Sequence, residues 1–79
     1  MPTVLRLDGF RFFFFSNEGD EPPHIHVESA ENHAKFWLEP VALASSHGYA
    51  SRDLRRLALL VEQNSALFVE KWNEHFQRS

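Results

Sequence analysis

Phe10-Arg11-Phe12-Phe13-Phe14-Phe15 is the stretch that decides the fold. An unbroken run of aromatic side chains fits a pleated strand better than a helix, where bulky rings lose rotamer freedom against the preceding turn. Successive residues of a strand point to opposite faces, so Arg11, Phe13 and Phe15 share one side and Phe10, Phe12 and Phe14 the other. Both sides are therefore apolar. A sheet built around this strand must be covered twice, or one of its faces must meet a partner.

Upstream, Thr3-Val4-Leu5-Arg6-Leu7 is β-prone and closes on Asp8-Gly9, a dipeptide of tight hairpin turns. Downstream, residues 16–23 form a polar, Gly/Pro-rich loop. His24-Ile25-His26-Val27-Glu28 alternates strictly and predicts a third strand. Residues 29–32 read as a turn, and Ala34-Lys35-Phe36-Trp37-Leu38 as a fourth strand that Pro40 ends. Val41-Ala42-Leu43-Ala44 is apolar but too short to assign, and residues 45–50 read as a loop around Gly48.

At Ser51 the period changes. Leu54, Leu57, Ala58 and Val61 recur as one face of a helix, with Ser51 placed to cap it and Asp53 where the helix dipole favours an anion. Phe68, Trp72 and Phe76 continue at helical spacing, and Asn64-Ser65 predicts a break between two helices. The expected architecture is α+β: an antiparallel sheet of about four strands within residues 3–39, with one or two C-terminal helices, about residues 51–77, packed on one face. A chain of 79 residues predicts one domain over its whole length.

The absence of cysteine excludes disulfides, thiolate zinc sites and thiol nucleophiles together. A net charge of −3 sets the chain apart from strongly basic nucleic-acid binders. With no apolar run of membrane-spanning length and no leader pattern at Met1, a cytoplasmic protein without a membrane partner is expected.

His24 and His26 stand two residues apart on a strand, so they project to one side with roughly 6–7 Å between their Cα atoms. Such a pair suits metal coordination or acid–base chemistry, and it also suits an ordinary polar strand face. Zinc takes three or four protein ligands, and here the others would have to come from His33, His47, His75 or a carboxylate such as Glu21. The expectation is therefore no bound metal and no cofactor. Lys35 would join the histidines if the register turns it to their face. Two imidazoles and an ammonium can carry RNA transesterification, as acid, base and stabiliser of the developing charge.

Arg52, Arg55 and Arg56 make one basic stripe on the first helix, fit for phosphate or an acidic partner, or simply solvated. Phe13 and Phe15, if their face stays uncovered, would form a second contact surface, for a homodimer or another protein. Trp37, Phe68, Trp72 and Phe76 have core-like spacing.

Several segments taken together carry a resemblance. They are Met1-Pro2-Thr3-Val4-Leu5-Arg6, the run from Arg11 to Glu18, Glu21-Pro22-Pro23-His24-Ile25-His26-Val27, Ala34-Lys35-Phe36-Trp37-Leu38-Glu39-Pro40, and Leu60-Val61-Glu62-Gln63-Asn64 with Lys71-Trp72-Asn73-Glu74. In this order they resemble a small bacterial family, a domain of unknown function, over essentially the whole chain. The resemblance implies a gene that often stands beside one for a second small protein, an arrangement similar to a toxin–antitoxin pair. It maps the family's histidine motif onto His24 and His26 and its lysine onto Lys35, and it brings no reaction or cofactor. The expected function is an interaction module of such a two-protein system, with the neighbouring gene product as partner. The alternative is a metal-independent ribonuclease acting on RNA through His24, His26 and Lys35.

Overall fold

Asp8 and Gly9 have φ of 54° and 85°, the two left-handed positions that a two-residue type I′ hairpin requires. They fold β1 (Thr3–Leu7) back on β2 (Phe10–Phe13), with Leu7 opposite Phe10 and Arg6 opposite Arg11. In the computed structural model, which describes residues 3–76, three further strands follow: β3 (His24–Ser29), β4 (Asn32–Leu38) and β5 (Val41–His47). They form one antiparallel sheet in the order β1-β2-β3-β4-β5. Met1, Pro2 and Gln77, the ends of the expected start motif and second helix, lie outside the described residues.

The sheet has five strands where the sequence predicts about four. The extra strand is β5, which takes in both the unassigned apolar run and the first part of the expected loop. Beyond Val41 its residues are exposed, so it lacks the buried–exposed alternation that marks a strand in sequence. Glu39 and Pro40 connect it to β4, and a register shift lies opposite Lys35 and Phe36.

Two helices follow, α1 (Ser51–Gln63) and α2 (Ser65–His75), broken at Asn64 as the sequence predicts. The Asn64 side-chain amide donates to the Leu60 carbonyl, which also accepts the Asn64 backbone N–H, and the Ser65 hydroxyl donates to that of Glu62. Ala50, not Ser51, is the N-cap of α1, and it makes no side-chain cap bond. Helix α1 packs across β4 and β5, and α2 across β3 and β4. Phe12, Ile25, Val27, Phe36 and Leu38 meet Leu57, Val61, Phe68 and Trp72 in the main core. Phe12 and Phe68 stack with ring centroids 5.3 Å apart. The indole N–H of Trp72 is buried with no hydrogen-bond partner, a cost that the surrounding aromatic packing absorbs.

The opposite face is covered too. Residues 14–23 between β2 and β3 fold back over it as a strap, shaped by bonds from the Glu18 amide to the Phe15 carbonyl and from the Glu21 amide to the Glu18 carbonyl. Gly19 lets the strap pass close to α2, since a Cβ there would come within 2.7 Å of the Phe76 ring. Phe14 enters the main core against Trp72, and Phe15 turns to the strap side. Phe13 is therefore only 3% exposed, and the expectation of an uncovered patch at Phe13 and Phe15 is corrected. The strap buries Phe13 and leaves Phe15 half-buried.

Phe36→Ala, which removes a ring buried at the centre of the sheet, is expected to cost about 3–5 kcal/mol in urea unfolding. Leu43→Ala on the exposed strand β5 is expected to cost about 1 kcal/mol or less. Equal losses would show that β5 belongs to the core.

Candidate functional site

The register of β2, β3 and β4 decides which side chains meet beneath the strap. His26 lies opposite Phe13 on one side and Lys35 on the other, His24 opposite Trp37, and Glu28 opposite Arg11 and His33. Directly opposed residues share a face. His24, His26, Lys35 and Phe13 are thus brought together on the sheet face opposite the main core, which settles the facing of Lys35 that the sequence leaves open.

The strap adds the group that organises them. Glu18 Oε1 lies 2.9 Å from His24 Nε2 and 2.8 Å from His26 Nε2, so one carboxylate oxygen meets both imidazoles. His24 Nδ1 donates to the Pro22 carbonyl at 3.0 Å, a bond made within the stiff Pro22-Pro23 approach to β3. His26 Nδ1 faces His33 Nε2 at 3.1 Å. Aromatic rings wall the cluster. Phe13 stacks on His26 at 5.4 Å, Phe15 meets it edge-on at 4.7 Å, and Trp72 lies 4.8 Å from His24.

Around this centre the charged groups are paired. Lys35 Nζ binds Glu21 Oε1 at 2.6 Å and sits 4.5 Å from the centroid of the Trp37 ring. Arg11 binds Glu28 and lies over the Phe13 ring. The sequence offers Glu21 as the carboxylate nearest the histidines; the structure brings Glu18 to them and gives Glu21 to Lys35. No spacing rule finds Glu18, because an irregular loop, not a strand or helix period, places it.

Burial and charge act against each other here. Burial pushes the Glu18 carboxyl upward, but hydrogen bonds from His24 and His26, with their Coulombic attraction, outweigh it and hold the group below the ordinary value. Burial lowers His26, and the opposing pull of Glu18 does not restore it. The ionised form of Glu18 is favoured, and burial makes His26 harder to protonate. Glu18, His24 and His26 also offer ligand atoms that all lie within 4.8 Å of one another.

His24 is fully buried and His26 only 5% exposed, so the cluster is closed to a large substrate in this conformation. The other site candidates stand apart from it. Arg52, Arg55 and Arg56 are exposed on α1, and Arg56 pairs with Asp8 of the first hairpin at 3.1 Å. A cleft of about 510 Å³ lined by Thr3, Val4, Phe14, Lys71, Glu74 and His75 shares no residue with the cluster.

Glu18→Ala would leave two buried imidazoles without their shared acceptor, and a destabilisation of about 1–3 kcal/mol is expected. Lys35→Met breaks a pair whose carboxylate side chain is 41% exposed, and about 1 kcal/mol or less is expected. Urea unfolding in the presence of a chelator measures both; equal small losses would mean that the strap is not held through Glu18.

No curated protein and no solved structure matches the chain. A family model described as a domain of unknown function, DUF4160, matches residues 9–73, a span that takes in the strap, the histidines, Lys35 and the arginine stripe. With most of its length matched, the chain belongs to the DUF4160 family.

Proposed function

We propose that the chain is an interaction module, one half of a small bacterial two-protein system of the toxin–antitoxin kind, and that it binds the neighbouring gene product along β5. The observation that carries this reading is the state of that strand. β5 stands at the edge of the sheet, is exposed on nearly every residue, and contains no charged side chain and no proline. Edge strands of this kind offer unpaired backbone groups to a partner's extended segment, and natural proteins usually blunt them with lysine or proline. Leu43 is 45% exposed there. Helix α1, which packs against β5, displays Arg52, Arg55 and Arg56. An extended partner segment with acidic side chains would pair with the edge and meet the arginines. A homodimer joined edge to edge at β5 is the competing form of association.

The metal-independent ribonuclease has one observation in its favour, the cross-strand position of Lys35 beside His26. The burial of His24 and the Glu18 carboxylate bound to both imidazoles weigh against it.

Calorimetric titration of the purified chain with the neighbouring gene product tests the reading. Leu43→Lys is expected to weaken binding at least about tenfold while the far-UV spectrum is unchanged. Neutralising all three arginines is expected to slow association and to reduce its salt dependence. Unchanged affinity in Leu43→Lys would overturn the β5 assignment. Cleavage of RNA that persists in chelator and disappears in His26→Ala would favour the ribonuclease.

A further inference from the structure

His24 anchors one ring nitrogen and turns the other inward. Its Nδ1 donates to the Pro22 carbonyl oxygen at 3.0 Å, and its Nε2 lies 2.9 Å from Glu18 Oε1. The ring is fully buried, and the ligand atoms of Glu18, His24 and His26 all lie within 4.8 Å of one another. A cation held by Nε2 and Oε1 takes both atoms as ligands while Nδ1–H keeps its bond to Pro22.

His26 is arranged in the same way. Its Nε2 points at the same Glu18 oxygen at 2.8 Å, and its Nδ1 faces His33 Nε2, which can accept a hydrogen, at 3.1 Å. Metal-bound histidines commonly donate their second ring N–H to a carbonyl or another acceptor, which fixes tautomer and ring orientation. Both rings of this cluster present Nε2 inward and hold Nδ1 outward against an acceptor. Ligand atoms on one ion at about 2.0–2.2 Å stand roughly 2.9–3.6 Å apart, close to the separations between Glu18 and each imidazole.

We propose that Glu18, His24 and His26 bind one divalent first-row transition-metal ion through Glu18 Oε1 and the Nε2 atoms of both imidazoles. The expectation of no metal follows from having two histidines without a third ligand in view; Glu18 supplies that ligand from the strap. Two imidazoles and a carboxylate suit zinc or iron(II), whereas magnesium and calcium take oxygen ligands. His33 is a positioning residue, holding the His26 ring through Nδ1. With three protein ligands, at least one coordination position remains for a non-protein ligand. The ion ties the strap to the sheet, a staple for a small domain that has no disulfide. This inference is independent of the partner proposed at β5.

Chelator-stripped full-length chain, titrated with zinc chloride and separately with magnesium chloride, tests it. One zinc per chain is expected, with a rise in the unfolding temperature, and no binding of magnesium. Cobalt(II) is expected to give d–d absorption without a thiolate charge-transfer band. Because His24 is fully buried, its replacement tests folding as well as ligation, so Glu18→Gln on the strap is the deciding variant. It is expected to weaken zinc binding by at least about 10–100-fold with an unchanged far-UV spectrum, and His33→Ala by roughly tenfold. His75→Ala, on the exposed end of α2, is expected to bind as the parent does. Absence of saturable zinc binding, or equal affinity in folded Glu18→Gln, would overturn the proposal.

Discussion

A single carboxylate oxygen, Glu18 Oε1, meets two buried imidazoles, and much of the molecule depends on that contact. It fixes the strap of residues 14–23 to the sheet face opposite the main core. With the strap seated, Phe13 is buried, Phe15 covers His26, and Glu21 reaches Lys35. The phenylalanine run poses the problem that this contact resolves. Its alternate rings face both sides of the sheet, and a chain this short has helices enough for only one of them.

The two faces are covered by different chemistry. On the helix side, aromatic and aliphatic side chains exclude water and bury no charge. On the strap side, charged and polar groups are held within the chain, Arg11 by Glu28, Lys35 by Glu21, and the histidines by Glu18. A satisfied polar network of this kind specifies one arrangement, because losing a member leaves a buried group unpaired. The cluster that looks reactive in the sequence is therefore enclosed. The exposed surface lies elsewhere, along β5 and at the arginines of α1.

Features whose cause is local were legible in the sequence. Asp8-Gly9 marks its hairpin because few other residues tolerate two consecutive left-handed positions. The alternation of His24 through Glu28 puts both imidazoles on one face, and Asn64 marks the break between the helices. The facing of Lys35 stayed open, because a one-residue slip of the β3–β4 register would reverse it. What was not legible has a physical reason in each case. β5 buries almost nothing, so it has no hydrophobic period to detect. Glu18 reaches the histidines through a loop, where sequence spacing does not set distance. Covering of Phe13 by that same loop is a tertiary event, and it removes the exposed patch that the strand pattern alone implies.

The most direct measurement is nitrogen-15 NMR of the histidine side chains in the metal-free chain and in Glu18→Gln. If Glu18 holds both imidazoles, the Nε2 resonances of His24 and His26 differ from those of a solvated ring, and both move on the substitution. The His24 Nδ1–H remains protected by Pro22, and His75 on the exposed end of α2 does not respond. Solvent-like His24 and His26 resonances that are indifferent to Glu18→Gln would contradict the contact, and with it the seating of the strap.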